Sequence, residues 1–384
     1  MDSSTLPRSK GRIKSIDILR GAIVVLMAID HVRVYSGLPA GGPQPGIFLT
    51  RWVTHFCAPG FVFFAGTSAF LYGLKLNNVK ALSGFLFSRG LLLVILELTL
   101  IRFFWTFNFD YASFTLAGVI WMLGWCMIIM ATMVRMKAKT VGIVGLIIIL
   151  FQQLFAHVPQ IIPVSFRQQF GWFWEFIYSS GLEGPPGISI LYVIVPWIGV
   201  MAAGYGFGLV LIKNERVRNK ICWRIGLSAI ALFIIIGSIV ASRNNESPAP
   251  FWMRLLNQQK YPPSQLYLFM TIGPLIALIP FAENAKGWLA NVLSVFGRVP
   301  MFYYLLHIPL IHLSALLVNT IRTGSPHQEF YHTSPYTQMP EGYRWNLGLL
   351  YLDFFIVVLI LYFLCKAFGN YKAGHGNNKL LKYI

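Results

Sequence analysis

Acidic residues are what this chain has least of. Thirteen Asp and Glu stand against 31 Lys and Arg in 384 residues, and charged residues of both signs make up 11%. A soluble domain carries about 25%, so an ordinary water-facing surface is excluded. Cysteine is nearly as scarce. Cys57, Cys126, Cys222 and Cys365 all lie in or beside apolar runs without metal-type spacing, which excludes a disulfide framework and a thiolate-held metal. No basic stripe with interleaved aromatics lies outside the apolar runs, so the net charge of +18 does not read as nucleic-acid binding. No internal repeat or low-complexity tract is evident, which leaves one domain.

Apolar residues are abundant: 56% hydrophobic, 15% aromatic, mean hydropathy +0.62. A membrane span needs about 20 apolar residues, and about ten runs qualify: 17–36, 52–74, 89–107, 114–134, 140–157, 188–212, 222–241, 264–282, 299–320 and 347–368. The expected fold is all-α, a polytopic integral membrane bundle of about ten helices in a lipid bilayer. Basic residues crowd the N-terminus (Arg8, Lys10, Arg12, Lys14), every second linker and the tail (Lys366, Lys372, Lys379, Lys382). The positive-inside rule then places both termini in the cytoplasm. Residues 1–16 read as a basic cytoplasmic segment, 17–368 as the transmembrane domain and 369–384 as a basic tail. The far-side segments 169–187, 242–263 and 321–346 are rich in Pro, Gly or aromatics. The first fits an interfacial helix or a lid, and equally an aromatic belt anchor, and the other two irregular loops.

Ionisable residues inside a span cost about 3 kcal/mol on insertion scales, so each is a functional hypothesis. At about 1.5 Å per residue their depths can be compared. Asp30 and His31 of the first run, Arg102 of the third, His307 and His312 of the ninth and Asp353 of the tenth fall at or beyond mid-depth on the far side. His55 opens the second run from that side. Such convergence points to a shared polar layer. Its structural counterpart is a self-neutralising network, Asp30 with Arg33 at i,i+3 or Asp353 with Arg102. A histidine near a carboxylate, shielded from water, is suited to take a proton from an amine or hydroxyl. At the opposite mouth Arg20, Arg89 and Arg298 come from three different runs, and together could clamp a phosphorylated ligand; ordinary anchoring explains any one of them equally well. FFAGTSAFLYG (63–73) and GVMAAGYGFG (199–208) carry small residues at helix-packing spacing, and Pro196 and Pro309 are expected to kink their spans.

RIKSIDILRGAIVVLMAIDHVR, TRWVTHFCAPGFVFFAGTSAFLYG, LYVIVPWIGVMAAGYGFG, YPPSQLYLFMTIGP and LSVFGRVPMFYYLLHIPLIH together resemble the bacterial branch of the heparan-α-glucosaminide N-acetyltransferase catalytic-domain family. The resemblance runs from about Arg12 to Phe368. It implies a transmembrane acyltransferase of the bacterial inner membrane that takes acetyl-CoA as co-substrate from the cytoplasm, uses no metal, and acetylates a sugar-containing acceptor on the opposite side. The animal member has an asparagine at the position matching Asp30 and its histidine further along, whereas here His31 follows Asp30 directly. On this reading His31 is the base, Asp30 orients it, and His55 is the alternative base. Arg20, Arg89 and Arg298 hold the cofactor, with Arg102, His307, His312 and Asp353 as a supporting layer. A proton-coupled transporter or flippase is the alternative. The oligomeric state is open, a homodimer among the options.

Overall fold

The computed structural model describes residues 13–383 except 183, 245–247, 334–338, 376, 377 and 379. Arg8, Lys10, Arg12 and Lys379, and parts of the segments 169–187, 242–263 and 321–346, lie outside the described residues. In chain order the helices are α1 (Lys14–Tyr35), α2 (Pro45–Trp52), α3 (Cys57–Leu76), α4 (Val79–Leu96), α5 (Arg102–Thr106), α6 (Val119–Met133), α7 (Ala138–Phe151), α8 (Val158–Ile161), α9 (Val164–Ile177), α10 (Trp197–Leu211), α11 (Glu215–Arg243), α12 (Phe251–Leu256), α13 (Gln265–Asn284), α14 (Trp288–Arg298), α15 (Pro300–Thr323) and α16 (Leu347–Gly374). Turns weld some into longer rods. Val53–Phe56 joins α2 to α3, and the π-helical turn Glu97–Ile101 joins α4 to α5.

Local chemistry sets several helix ends. Asn78, Asn214, Ser264 and Asn346 cap α4, α11, α13 and α16 by accepting a backbone N–H three residues on, which satisfies one of the orphan donors at each start. Asn77 closes α3 in the left-handed conformation, φ 47°, one of the few non-glycine residues that tolerates it.

Among the described residues seven rods are long and apolar enough to cross a membrane, consistent with an integral membrane protein: Pro45–Leu76, Val79–Thr106, Ala138–Ile161, α11, α13, α15 and α16. Three of the ten expected spans fall short, each for a visible reason. α1 carries Asp17, Arg20, Asp30 and Arg33 within its 22 residues. α6 and α10 have 15 residues each, because the residues expected to open them form a short parallel ribbon instead. In it β1 (Thr115–Ala117) pairs with β2 (Ile188–Ile190), Thr115 opposite Ile188 and Ala117 opposite Ile190. Pro196 therefore does not kink a span. It stands immediately before α10, where a proline removes no intrahelical hydrogen bond. Pro309 does lie inside α15.

Two other departures are informative. His55 does not open its span; it sits in the welded turn after α2, well inside the rod. α14, an amphipathic helix of 11 residues between the expected eighth and ninth spans, packs along α1. The segment 169–187 does begin in a helix, α9, whose Phe166, Phe170, Trp172 and Phe173 are exposed.

Packing divides the rods into a core and a ring. α1 touches α3, α13, α14, α15 and α16 and is buried along most of its length. α7, α11 and α16 instead leave Leu146, Leu150, Ile235, Phe355 and Phe363 exposed, the face a bilayer would cover. The two small-residue runs meet: Gly66 of α3 lies against the backbone of Met201 and Gly204 of α10 against that of Phe63, so a side chain at either would strike backbone. Thr67 Oγ1 uses this approach to donate to Gly204 O at 2.9 Å, a polar link across a small-residue interface.

Candidate functional site

The basic end of the bundle opens into a cavity of about 360 Å³. Arg20 of α1, Arg89 of α4, Arg298 of α14 and Lys372 of α16 line it, so three expected arginines and an unforeseen lysine converge from four helices. Arg20 is braced by α3, donating to Phe64 O at 3.0 Å and to Ser68 Oγ. Arg89 sits over the Phe85 ring, 5.9 Å from its centroid. Tyr383 of the tail lies beside this mouth, its ring 5.6 Å from Phe85 and its hydroxyl 3.0 Å from Ser88 Oγ. Deeper in, the lining turns apolar, with Ala65, Leu93, Leu123 and Met301, and it ends at Ile120 and Tyr304. Cations at the rim and a slender apolar interior fit a ligand with a phosphorylated head and a thin, weakly polar arm.

Beyond Tyr304 comes the polar layer. His307 lies about one helical turn further along α15 and is fully buried. Its Nδ1 faces the carbonyl oxygens of Tyr304 at 2.6 Å and Tyr303 at 3.2 Å. Carbonyl oxygens carry no hydrogen, so Nδ1 must hold the proton, and in the neutral ring the lone pair is on Nε2. That Nε2 lies 2.7 Å from His31 Nδ1, which must therefore be the donor. The pattern of partners leaves His31 Nε2 with a lone pair. The two rings stack at 4.8 Å, and Trp105 meets His31 edge-on at 4.9 Å. His31 remains half-buried, not sealed in apolar packing.

Asp30 does not orient His31. Its Oδ1 takes Nε and Nη2 of Arg33, each at 3.0 Å, and Arg33 Nη1 is held by Leu38 O at 2.9 Å. The i,i+3 pair anticipated as a structural alternative is the one that forms. The Asp30 side chain keeps 22% of its exposure, so the pair is only partly withdrawn from the surface. His55 is buried at 1% exposure, and neither ring nitrogen has a hydrogen-bond partner; its carbonyl accepts from Tyr267 Oη at 2.8 Å.

The rest of the expected layer is committed elsewhere. Arg102 does not meet Asp353. Its guanidinium gathers the loop after α5, donating to Phe114 O at 2.9 Å, Thr106 Oγ1 at 2.9 Å, Asn108 Oδ1 at 2.7 Å and the carbonyls of Asn108 and Asp110. His312 is stacked on Phe107 at 3.9 Å, with its ring nitrogens on Phe104 O and Gln328 Oε1. Asp353 accepts from Ser314 Oγ at 3.2 Å. Glu97, buried in the π-helical turn, takes the Ile120 N–H at 3.1 Å and caps α6. A side chain at Gly118 would collide with its carboxylate.

Sequence reasoning missed Lys260. It lies at 8% exposure in the turn before α13, its ammonium 5.2 Å from the centroid of the Tyr261 ring. Its signal was available: a lone lysine, in QQKYPP, within a far-side linker otherwise nearly free of them.

The family described as heparan-alpha-glucosaminide N-acetyltransferase, catalytic, matches residues 12–240, more than half of the chain. No curated protein matches it. The matched region holds Arg20, Asp30, His31, His55, Arg89 and Arg102, while Arg298, His307 and His312 lie beyond it. Helices of membrane-crossing length and this match agree with each other, and the chain belongs to the heparan-alpha-glucosaminide N-acetyltransferase catalytic family, whose name points to acetyl transfer.

Proposed function

We propose that this protein is a membrane-embedded acyltransferase that moves an acetyl group from acetyl-CoA, taken up at the basic end, to a sugar amine or hydroxyl presented at the opposite end. The observation that carries the reading is the line from the arginine-rimmed cavity to Tyr304, from the Tyr304 carbonyl to His307, and from His307 to His31. Arg20, Arg89, Arg298 and Lys372 would hold the phosphates of the donor, and the apolar interior its pantetheine arm. A donor arm of the order of 20 Å spans the roughly 16 Å from Arg20 to His31 along α1. The cavity stops one turn short of the histidine pair, so Tyr304 must yield for the thioester to arrive.

His31 Nε2 then takes the proton of the attacking amine or hydroxyl and returns it to the departing thiolate. His307 acts through His31, fixing its tautomer as a base-orienting group does. His31 is favoured over His55 because His55 is sealed from any cleft. A proton relay across the membrane is disfavoured by the same geometry, since the chain of ring nitrogens ends on a backbone carbonyl.

The test is direct. Purified protein is incubated with acetyl-CoA labelled in the acetyl group and with amino-sugar acceptors, and free CoA and labelled acceptor are measured. Release of both, lost in His31→Asn, is expected. Absence of thioester consumption with every acceptor, together with a His31-dependent proton flux in proteoliposomes, would overturn the reading.

A further inference from the structure

A second basic cavity, of about 490 Å³, opens between the C-terminal ends of α14 and α16. Arg298, Lys366, Asn370 and Lys372 line it beside Val295 and Gly369, and among the described residues no carboxylate does. Arg298 and Lys372 also line the arginine-rimmed cavity, so the two cavities are neighbours that share two cations. Lys366 and Asn370 belong to the second cavity alone.

The helix that leads into this cavity offers more than charge. On α16, Phe355, Leu359, Phe363, Lys366 and Asn370 follow one another at steps of four, four, three and four residues, the spacing that aligns side chains on one helix face. Phe355 is 64% exposed, Leu359 58% and Phe363 61%. The stripe is therefore apolar and uncovered for roughly 12 Å along the helix, then turns cationic and polar where it enters the cavity. Lys366 Nζ lies 5.8 Å from the centroid of the Tyr362 ring, as a long basic side chain does when its stem rests on an apolar surface.

A soluble phosphate would use the cations and leave the stripe bare. An amphiphile with a phosphate at one end and acyl chains at the other uses both, and basic pockets between membrane helices take ligands of that kind. We infer that the groove between α14 and α16 is a binding site for an anionic phospholipid. Its phosphate lies among Arg298, Lys366 and Lys372, with Asn370 adding a neutral donor and acceptor. Its acyl chains run along Phe363, Leu359 and Phe355. The site needs no acyl transfer, so its failure and that of the acyltransferase reading are separate outcomes.

The experiment is native mass spectrometry of the full chain in detergent, supplied with equal amounts of phosphatidylglycerol and phosphatidylcholine carrying identical acyl chains. Wild type is compared with Lys366→Gln, Lys366→Glu and Lys220→Gln, the last removing an exposed lysine of α11 outside the groove. Lys366 is exposed as well, and thermal unfolding in the same detergent checks that each variant folds. Wild type is expected to retain phosphatidylglycerol in preference. Lys366→Gln should lower that affinity about fivefold, the share of one basic side chain at an anionic headgroup. Lys366→Glu should lower it further, and Lys220→Gln should leave it unchanged. Equal retention of the two lipids, wild-type retention in Lys366→Gln, or an equal loss in Lys220→Gln overturns the inference.

Two soluble probes, glycerol 3-phosphate and adenosine 3′,5′-bisphosphate, separate the sources of the phosphate at constant ionic strength. Neither is expected to displace phosphatidylglycerol at equal concentration. Displacement by glycerol 3-phosphate would reduce the groove to a site for free phosphate esters. Displacement by the bisphosphate would assign it to the nucleotide end of a donor in the neighbouring cavity. Either result overturns the lipid site.

Discussion

His31 with His307, and Arg102 with His312, lie in the same half of the bundle, are built from similar residue types, and have different fates. Each guanidinium nitrogen of Arg102 meets an oxygen of its own neighbourhood, mostly main-chain carbonyls, and both nitrogens of His312 likewise face an oxygen. These residues fasten the loop after α5. Among the described residues the histidine pair hydrogen-bonds outward at one end alone, to the Tyr303 and Tyr304 carbonyls, and the far nitrogen of His31 is left over. On the acyltransferase reading, position in the membrane does not separate structural from chemical polar residues, and whether the donors and acceptors are all consumed does.

The largest test of that distinction is His31→Asn, expected to lower kcat by about 1,000-fold, within the range for loss of a general base, while the protein unfolds at the wild-type temperature. Arg102→Leu should do the opposite. Stranding several buried carbonyls is expected to destabilise the fold by about 3 kcal/mol, read as a lowered unfolding midpoint, while the rate per folded molecule is kept. If Arg102→Leu instead abolished turnover at full stability, the division would be wrong. Next in size is His307→Leu, for which a loss of about 100-fold is expected. The ascending limb of its pH–rate profile should move and the donor KM stay in place, and His307→Gln, which can still accept from His31 Nδ1, should recover much of the rate. Smallest is Arg89→Ala at the rim. Losing one charge-assisted contact to phosphate is expected to raise the donor KM about tenfold, with kcat retained.

Much of this was legible in the chain. The apolar runs named the rods because length and hydropathy are local properties, and the ionisable residues within them stood out for the same reason. Arg20, Arg89 and Arg298 could be grouped because each ends a run at the same face. What could not be read is long-range pairing. Asp30 takes the Arg33 that its i,i+3 spacing offered, but its neighbour His31 turns to a histidine 276 positions away, and no spacing rule reaches that far. The ribbon of β1 and β2 was invisible for a related reason: Thr115–Ala117 and Ile188–Ile190 are apolar enough to pass as helix and are strands only in each other's company. Lys260 was overlooked because a single lysine in a polar loop is ordinary until its burial is known.

The carbonyl behind His307 has a consequence for the cell's energy economy. A membrane enzyme that passes an acyl group from one compartment to the other risks opening a path for protons and draining the gradient across that membrane. Here a proton accepted by His31 can be handed toward His307, but there the route meets an oxygen that can neither take up a proton at ordinary pH nor pass one on. Through this pair a proton leaves by the way it came. The same bond that would aim the base would also keep the bilayer electrically tight while a group crosses it.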